Sequence, residues 1–443
     1  MKKVNKVQEM KKANKTNKAS KSVFHRVTCR LCNGKKLELV MKLAPTPIGD
    51  DYIPKDFLSK KQEAYPVELF LCRSCGHAQL LDVVDPEAVY GNYLYTTSIS
   101  LGLVEHFHRY ADSVLQQISP ANNSLVIDIG SNDGSLLRFY KNQGMRVLGV
   151  DPAREIARQA SKAGIETLPE FFNLKLAKAI KKKYGSATIV TSNNTFANID
   201  DLDTMIEGIK ELLAPDGVFV FETGYVLDLL QKVIIDNIYH EHISYFAVKP
   251  LETFFNRHGM ELINVERVPT KGGSIRCTAQ LKGGARKASP SVKRIMRLET
   301  DLGLQQPEIF KAFETNFNNV KHQLMSLLKS LKAKGRTIIG YGASVGVTTE
   351  LYNLGIDNNM IDFLVDDNIT KHNLYSPGMH IPVLPSQKIY EKKPDYVIIF
   401  PWQYTEPIVK KHKEYLEQGG CFINILPQVV VMDKSVLGFY KNT

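Results

Sequence analysis

The stretch DNIYHEHISYF, residues 236–246, places Tyr239, His240, Glu241, His242, Ser244 and Tyr245 within seven positions. Side chains of this kind are rarely buried unless each finds a partner, so the crowding points to something polar being held. A metalloprotease helix needs H-E-x-x-H, and position 244, where the second histidine would fall, is Ser. Proton transfer fits better. An imidazole titrates near working pH and serves as a general base, with Glu241 and Tyr239 as its partners. Spacing leaves the choice of base open: in an extended segment His240 and His242 share a face, whereas in a helix Tyr239 and His242 do.

Two further clusters could hold a ligand. VIDIGSNDG, 126–134, is an apolar run ending in a turn in which Gly130, Asn132 and Gly134 let backbone approach a bound molecule. VLGVDP follows at 147–152, and its Asp151 is placed to accept both hydroxyls of a ribose. The pattern fits a dinucleotide or S-adenosylmethionine. Asp128 and Asp133, in and beside the turn, favour the latter, because a pyrophosphate site is kept free of carboxylates. In SNNTFANIDD, at a later strand end, Asn193 or Asn194 faces the same edge, toward the cofactor or the substrate. Toward the end of the chain GYGAS, 340–344, and VDDN, 365–368, sit at strand ends where Tyr341 and Gly342 could face a nucleotide diphosphate. That loop lacks the third glycine of a dinucleotide fingerprint, so nicotinamide is disfavoured.

Cys29, Cys32, Cys72 and Cys75 form two C-x2-C pairs separated by 39 residues. Each pair turns two thiolates toward one tetrahedral ion, and four protein ligands leave no open position, so the expected zinc is structural. His77, just beyond, reads as a surface histidine.

The elements that must position these residues fall into an ordered series. Residues 1–22 carry eight Lys and one Glu, a balance of +7 that leaves only +4 of the chain's +11 for the other 421 residues, and are expected to be a disordered basic tail. A zinc-binding domain, short of helical periodicity and without much core of its own, occupies 23–97. From 98 to 283 a linker helix and then alternating strands and helices give a doubly wound, Rossmann-like parallel sheet. It has helices near 134–143 and 152–183, a helical segment over 224–236 and an antiparallel edge at 259–281. A helical linker, 284–334, leads to a second Rossmann-like α/β unit at 335–443. The fold class is therefore α/β. No signal peptide or apolar span is present, and the near-balanced folded part disfavours nucleic acid as partner. A cytoplasmic protein acting on a small molecule is expected, of a composition that sets no oligomeric state.

The order of these pieces closely resembles the sugar C-methyltransferases of deoxysugar pathways, over about 27–440. The resemblance is carried by the two knuckles with CGHAQL, and by YGNYLYTTSIS, DIGSNDGSLL, GVDPA, DNIYHEHISYF, GGSIR and YGAS. It implies a zinc-binding domain, a central S-adenosylmethionine domain, and a C-terminal α/β domain that helps hold a nucleotide-linked 4-keto sugar. The family's catalytic stretch falls on Tyr239, His240, Glu241 and His242, with His242 implied as the base and Tyr239 and Glu241 orienting it or the substrate. The base forms an enolate whose carbon is then methylated. Tyr239, or Tyr93 or Tyr95 from the first domain, would hydrogen-bond the enolate oxygen.

Three positions depart from the family pattern. Asn198 and Lys271 stand where it has histidines, and Gly346 stands where it has a basic residue. Together they imply an altered acceptor, either another nucleotide sugar or one methylated elsewhere. O- or N-methylation of a related small molecule is the competing activity, and a zinc-knuckle nucleic-acid binder the competing class.

Overall fold

A computed structural model of the chain describes residues 23–90, 95–100 and 102–442. Its centre is a seven-stranded sheet in the order Met260–Val268, Ser274–Leu281, Leu213–Gly224, Ala187–Asn193, Leu125–Ile129, Arg146–Val150, Thr167–Leu168. Ser274–Leu281 runs antiparallel to both its neighbours, and the other pairs are parallel. Leu125–Ile129 is buried at every position, as a strand must be when helices cover both faces of its sheet. The chain winds one way from this strand and then the other. The switch point, where such sheets bind ligands, therefore lies between the carboxyl ends of Leu125–Ile129 and Ala187–Asn193.

Leu103–Ile118 is the expected linker helix, its buried stripe of Leu103, Phe107, Tyr110, Ala111 and Val114 packed against this sheet. The helix expected over 152–183 is instead two, Arg154–Lys162 and Leu174–Tyr184. Gly164 takes a positive φ of 87° between them and the short edge strand Thr167–Leu168 follows. The helical segment expected over 224–236 is confined to Val226–Gln231, because Val233 turns left-handed at φ 58°.

The N-terminal region builds a sheet from Leu37–Thr46, Tyr65–Cys72 and Ala78–Leu80. Contrary to a core-poor expectation, Met41, Leu43, Val67, Leu69 and Leu71 are buried in it, continuous with the core beneath the central sheet. Alternating strand positions hide these residues against a neighbour rather than within the region, which is why no isolated core is visible in the sequence. Its fourth strand is Ser244–Tyr245, in register opposite Gln79 and Ala78. The end of the polar cluster is thus stitched into the cysteine-bearing sheet.

Helices Pro290–Asp301 and Pro307–Ala333 lead to a six-stranded sheet ordered Val383–Pro385, Leu364–Asp366, Ile338–Tyr341, Tyr396–Ile399, Cys421–Asn424, Val430–Met432. All its neighbours are parallel except the last pair. Its switch point lies between Ile338–Tyr341 and Tyr396–Ile399. Leu374–Tyr375 pairs antiparallel with Ile53–Pro54, fastening this unit to the first.

Candidate active site

The segment 236–246 adopts neither of the two conformations weighed from its sequence. It is a turn, with His242 N–H donating to the Tyr239 carbonyl at 2.9 Å, so that Tyr239 and His242 meet. The Tyr239 hydroxyl lies 2.9 Å from His242 Nε2, and His242 Nδ1 lies 3.2 Å from the Asn237 carbonyl. A carbonyl accepts only, so Nδ1 carries the proton and Nε2 presents its lone pair to the Tyr239 O–H. Burial, then the Lys271 cation, lowers the His242 pKa to about 3, against the pull of the Asn237 carbonyl. The imidazole is neutral at working pH.

The other two members face elsewhere. His240 is 4% exposed, sits 3.3 Å from the Tyr65 carbonyl and meets the Tyr65 ring edge-on, so it docks the segment against the first domain. Glu241 is buried, with its carboxylate close enough to Tyr239, Tyr90 and Lys271 to bias their ionisation. Asn198 lies beside the Tyr90 hydroxyl, its own side-chain oxygen buried without a partner.

Lys271 comes to the same place from the hairpin before Ser274–Leu281, in a left-handed conformation (φ 51°, ψ 36°). Burial lowers its pKa, against the carboxylates of Glu222 and Glu241. Its loop is anchored by Glu222, which is fully buried and accepts from His106 at 2.8 Å, Thr270 at 2.7 Å and Arg276 at 3.0 Å. Three donors hold Glu222 ionised despite its burial, lowering its pKa. Asn194, Thr223, Asn237, His242, Tyr245 and Lys271 line one cleft.

That cleft lies at the carboxyl ends of Ala187–Asn193 and Leu213–Gly224, the first of which borders the switch point of the central sheet. Gly130 (φ 79°) approaches Thr195 so closely that a β-carbon would overlap it. Asp151 accepts from the backbone amides of Asn132 and Ala153, each at 2.8 Å, and burial raises its pKa. Asp128 accepts from Thr191 at 2.7 Å, and burial pushes its pKa up to about 7. Asn132 is left-handed (φ 50°), and its side chain binds not the cleft but the strap crossing the loop, accepting from Thr97 N–H and donating to the Tyr95 carbonyl. Asp133 likewise accepts from Ser98 N–H and from Ser135. The Tyr95 hydroxyl bonds Ser100 at 2.7 Å, and Tyr93 lies outside the described residues. Both amide atoms of Asn193 and the Ser131 hydroxyl are buried at this edge with no partner. Orphaned donors and acceptors beside a buried acid and a glycine turn are what an amino-acid and ribose-bearing cofactor would satisfy, so the residues fit S-adenosylmethionine.

The four cysteine sulfurs lie within 4.8 Å of one another, with Cys29 to Cys75 and Cys32 to Cys72 each 3.6 Å. A tetrahedral ion with Zn–S bonds of about 2.3 Å sets ligand sulfurs roughly 3.8 Å apart, so the cluster fits zinc. His77 is not at the surface. It is fully buried, stacked on Phe246 at 5.4 Å and 3.3 Å from Ser244 Oγ, because the strand Ser244–Tyr245 covers it.

In the second α/β unit Tyr341 donates to Asp367 at 2.6 Å, and the Ala343 amide donates to Asp366 at 2.6 Å. A β-carbon on Gly342 (φ 105°) would lie 2.6 Å from Pro401 Cδ, and one on Gly346 would overlap the Asp236 carbonyl. Glycine at 346 therefore permits contact between the second unit and the segment bearing His242.

A C-methyltransferase from Streptomyces niveus, NovU, is 30% identical over 400 residues, which is 90% of this chain and 95% of that protein. The chain belongs to the C-methyltransferase family. Three family models match in tandem: "Putative zinc binding domain" at 29–90, "Methyltransferase domain" at 103–265 and "C-methyltransferase C-terminal domain" at 269–427. Solved structures align more loosely. Magnesium protoporphyrin IX methyltransferase from Synechocystis PCC 6803 with bound SAH is 17% identical, covering 44% of this chain and 92% of that one, with a TM-score of 0.33. A protein from Pyrococcus horikoshii OT3 is 14% identical over 42% of this chain and 95% of that one, TM-score 0.35. The enzyme is a class I S-adenosylmethionine-dependent methyltransferase with a zinc-binding domain. No helix among the described residues is long and apolar enough to cross a membrane.

Several residues that build this methyltransferase's site escape a reading by spacing. Asn237 contributes only a carbonyl. Glu222 and His106 are 116 positions apart and meet through the sheet. Arg30 and Trp402 carry faint signals: Arg30 lies inside the first C-x2-C pair, and Trp402 is the only tryptophan in the chain.

Proposed function

We propose that the enzyme methylates a carbon next to the ketone of a nucleotide-linked keto sugar, with His242 as the base. The observation that carries the reading is the pairing of a neutral His242, its Nε2 unprotonated, with the Lys271 ammonium in one cleft, lined also by Asn194 at the end of strand Ala187–Asn193. Asp151, Asn193 and the turn around Gly130 hold S-adenosylmethionine, which supplies an electrophilic methyl group. His242 Nε2 takes the proton from the acceptor carbon, and the C–H electron pair moves into an enolate whose oxygen becomes negative. Lys271, which lines the same cleft, supplies positive charge to that oxygen. The field that keeps the resting imidazole unprotonated is thus cancelled as the enolate forms, and the base strengthens when it is needed. Tyr239 holds the imidazole until the acceptor arrives, then gives up its place at Nε2 and donates to the enolate. Glu241 balances Lys271 from the other side, and the cleft aligns the carbon for transfer.

The test is deuterium exchange. In D2O, with S-adenosylhomocysteine in the cofactor site, a nucleotide-linked 4-keto sugar should exchange hydrogen at the carbon beside the ketone, and His242→Gln should abolish that exchange while still binding the sugar. Methyl transfer to an oxygen or nitrogen without carbon exchange would sink the proposal.

A further inference from the structure

Asp236 stands one residue before Asn237, whose carbonyl fixes the His242 tautomer, and its carboxylate is gripped by two side chains of the second α/β unit. Trp402 Nε1 donates to its Oδ1 at 3.1 Å and Gln403 Nε2 to its Oδ2 at 3.1 Å. The same indole packs on the Lys271 loop: a β-carbon on Gly272 would stand 3.0 Å from the Trp402 ring. Trp402 and Gln403 follow strand Tyr396–Ile399 with two residues between, on one lip of the second sheet's switch-point crevice. Gly342, on the other lip, lies against Pro401, and Gly346, in the helix that starts there, lies against the Asp236 carbonyl. Both lips of a crevice where ligands bind thus touch the residue next to Asn237, and one also touches the loop that carries Lys271.

We infer that Asp236 is a positioning residue that couples occupation of the second crevice to the setting of His242, with Trp402 and Gln403 as the side chains that sense the ligand. The inference rests on the proposed nucleotide-linked substrate and takes this unit as the holder of its nucleotide part, so the ligand class it implies is a nucleoside diphosphate. Binding there shifts the Pro401–Gln403 lip. The two hydrogen bonds pass the shift to Asp236, and the Asn237 carbonyl follows. The base is then aligned only when the remote part of the substrate is in place, so binding energy gained far from the chemistry is used to orient it.

The chain's single tryptophan is its own reporter. The experiment titrates thymidine diphosphate and uridine diphosphate into the zinc-loaded full chain while following heat, Trp402 emission and the 15N-detected imidazole resonances of His242, assigned with His242→Gln. Asp236→Asn and Trp402→Phe are compared with wild type. The expected result is heat of binding, a change in Trp402 emission and movement of the His242 resonances in wild type. Both variants should show displaced His242 resonances without ligand and little further movement with it. With a turned-over acceptor, kcat should fall about 100-fold, the cost of a misplacement near 1 Å, while KM for S-adenosylmethionine stays unchanged. Heat without movement of His242, or unshifted His242 resonances in both variants, would overturn the coupling. Absence of heat with either nucleotide would instead refute the nucleotide reading, and the resonances of the two variants would alone decide whether Asp236 positions His242. Trp402→Phe keeps the ring against Gly272, so it serves if Asp236→Asn fails to fold.

Discussion

Arg30, between the two cysteines of the first knuckle, donates to the carbonyl of Ile243, the residue after His242, at 3.2 Å. The same guanidinium reaches the Gln79 side chain at 3.1 Å and Asp200 at 2.9 Å, and it is fully buried. The metal domain is therefore part of the scaffold that positions His242, since its sheet also takes in Ser244 and Tyr245 as its edge strand.

Stripping the zinc with a chelator should accordingly loosen the segment bearing His242 as well as the knuckles. Four thiolates converging within 4.8 Å repel one another without a cation. Hydrogen exchange checks this: the amide of Leu80, which donates to the Ile243 carbonyl at 3.0 Å, should lose protection along with the knuckle amides, and zinc should restore both. Protection at Leu80 unchanged by chelation would separate the two.

Glu222→Ala should cost about 3–5 kcal/mol of stability, the range for breaking a buried ion pair by removing one partner. Arg276, His106 and Thr270 would each lose their acceptor inside the protein. Urea unfolding measures it, and a loss below about 1 kcal/mol would mean that solvent reaches the network.

Much of this frame is legible in the residues, for definite physical reasons. Buried parallel strands write themselves as unbroken apolar runs, which is why LVIDI and its neighbours stand out, and two C-x2-C pairs have few uses besides a tetrahedral ion. The relations between distant positions are another matter. His77 reads as a surface residue because nothing local announces that Ser244–Tyr245 covers it. Asn132 and Asp133 are chosen by type for the cofactor, yet their side chains bind a strap 35 positions earlier in the chain. His240 and His242 share a type and nearly a position, and only the turn at Tyr239 sends one to Tyr65 and the other to Lys271. A side chain's direction within a turn depends on tertiary contacts that no period encodes.

Asp151→Ala should weaken S-adenosylmethionine binding by roughly 10- to 100-fold, the worth of one or two charge-assisted hydrogen bonds. The residue has a second role, because its carboxylate accepts the Asn132 and Ala153 amides that shape the turn. The melting temperature without cofactor should therefore fall too. Calorimetry and a thermal scan on the zinc-loaded protein measure both effects. Full affinity in the variant would remove Asp151 from the cofactor site.

The pH behaviour of His242 discriminates among roles for Lys271. With a folded pKa of about 3 against an ordinary value of 6.5, the imidazole stays neutral in the native state while the unfolded chain takes up a proton. Its contribution to stability is therefore complete above pH 6.5 and is lost progressively as pH falls from 6.5 toward 3. In activity, the acid limb of kcat/KM should lie well below the range of an ordinary histidine. Burial is the larger cause of the shift and Lys271 the next, so Lys271→Met should move that limb, and the imidazole titration seen by NMR, upward without restoring it fully. If Lys271 also holds the enolate oxygen, the same variant should lose about 100- to 1,000-fold in kcat, as when one oxyanion donor is removed. A shifted limb with kcat intact would leave Lys271 as an electrostatic neighbour of the base only, and an unshifted limb would show that its charge does not reach His242.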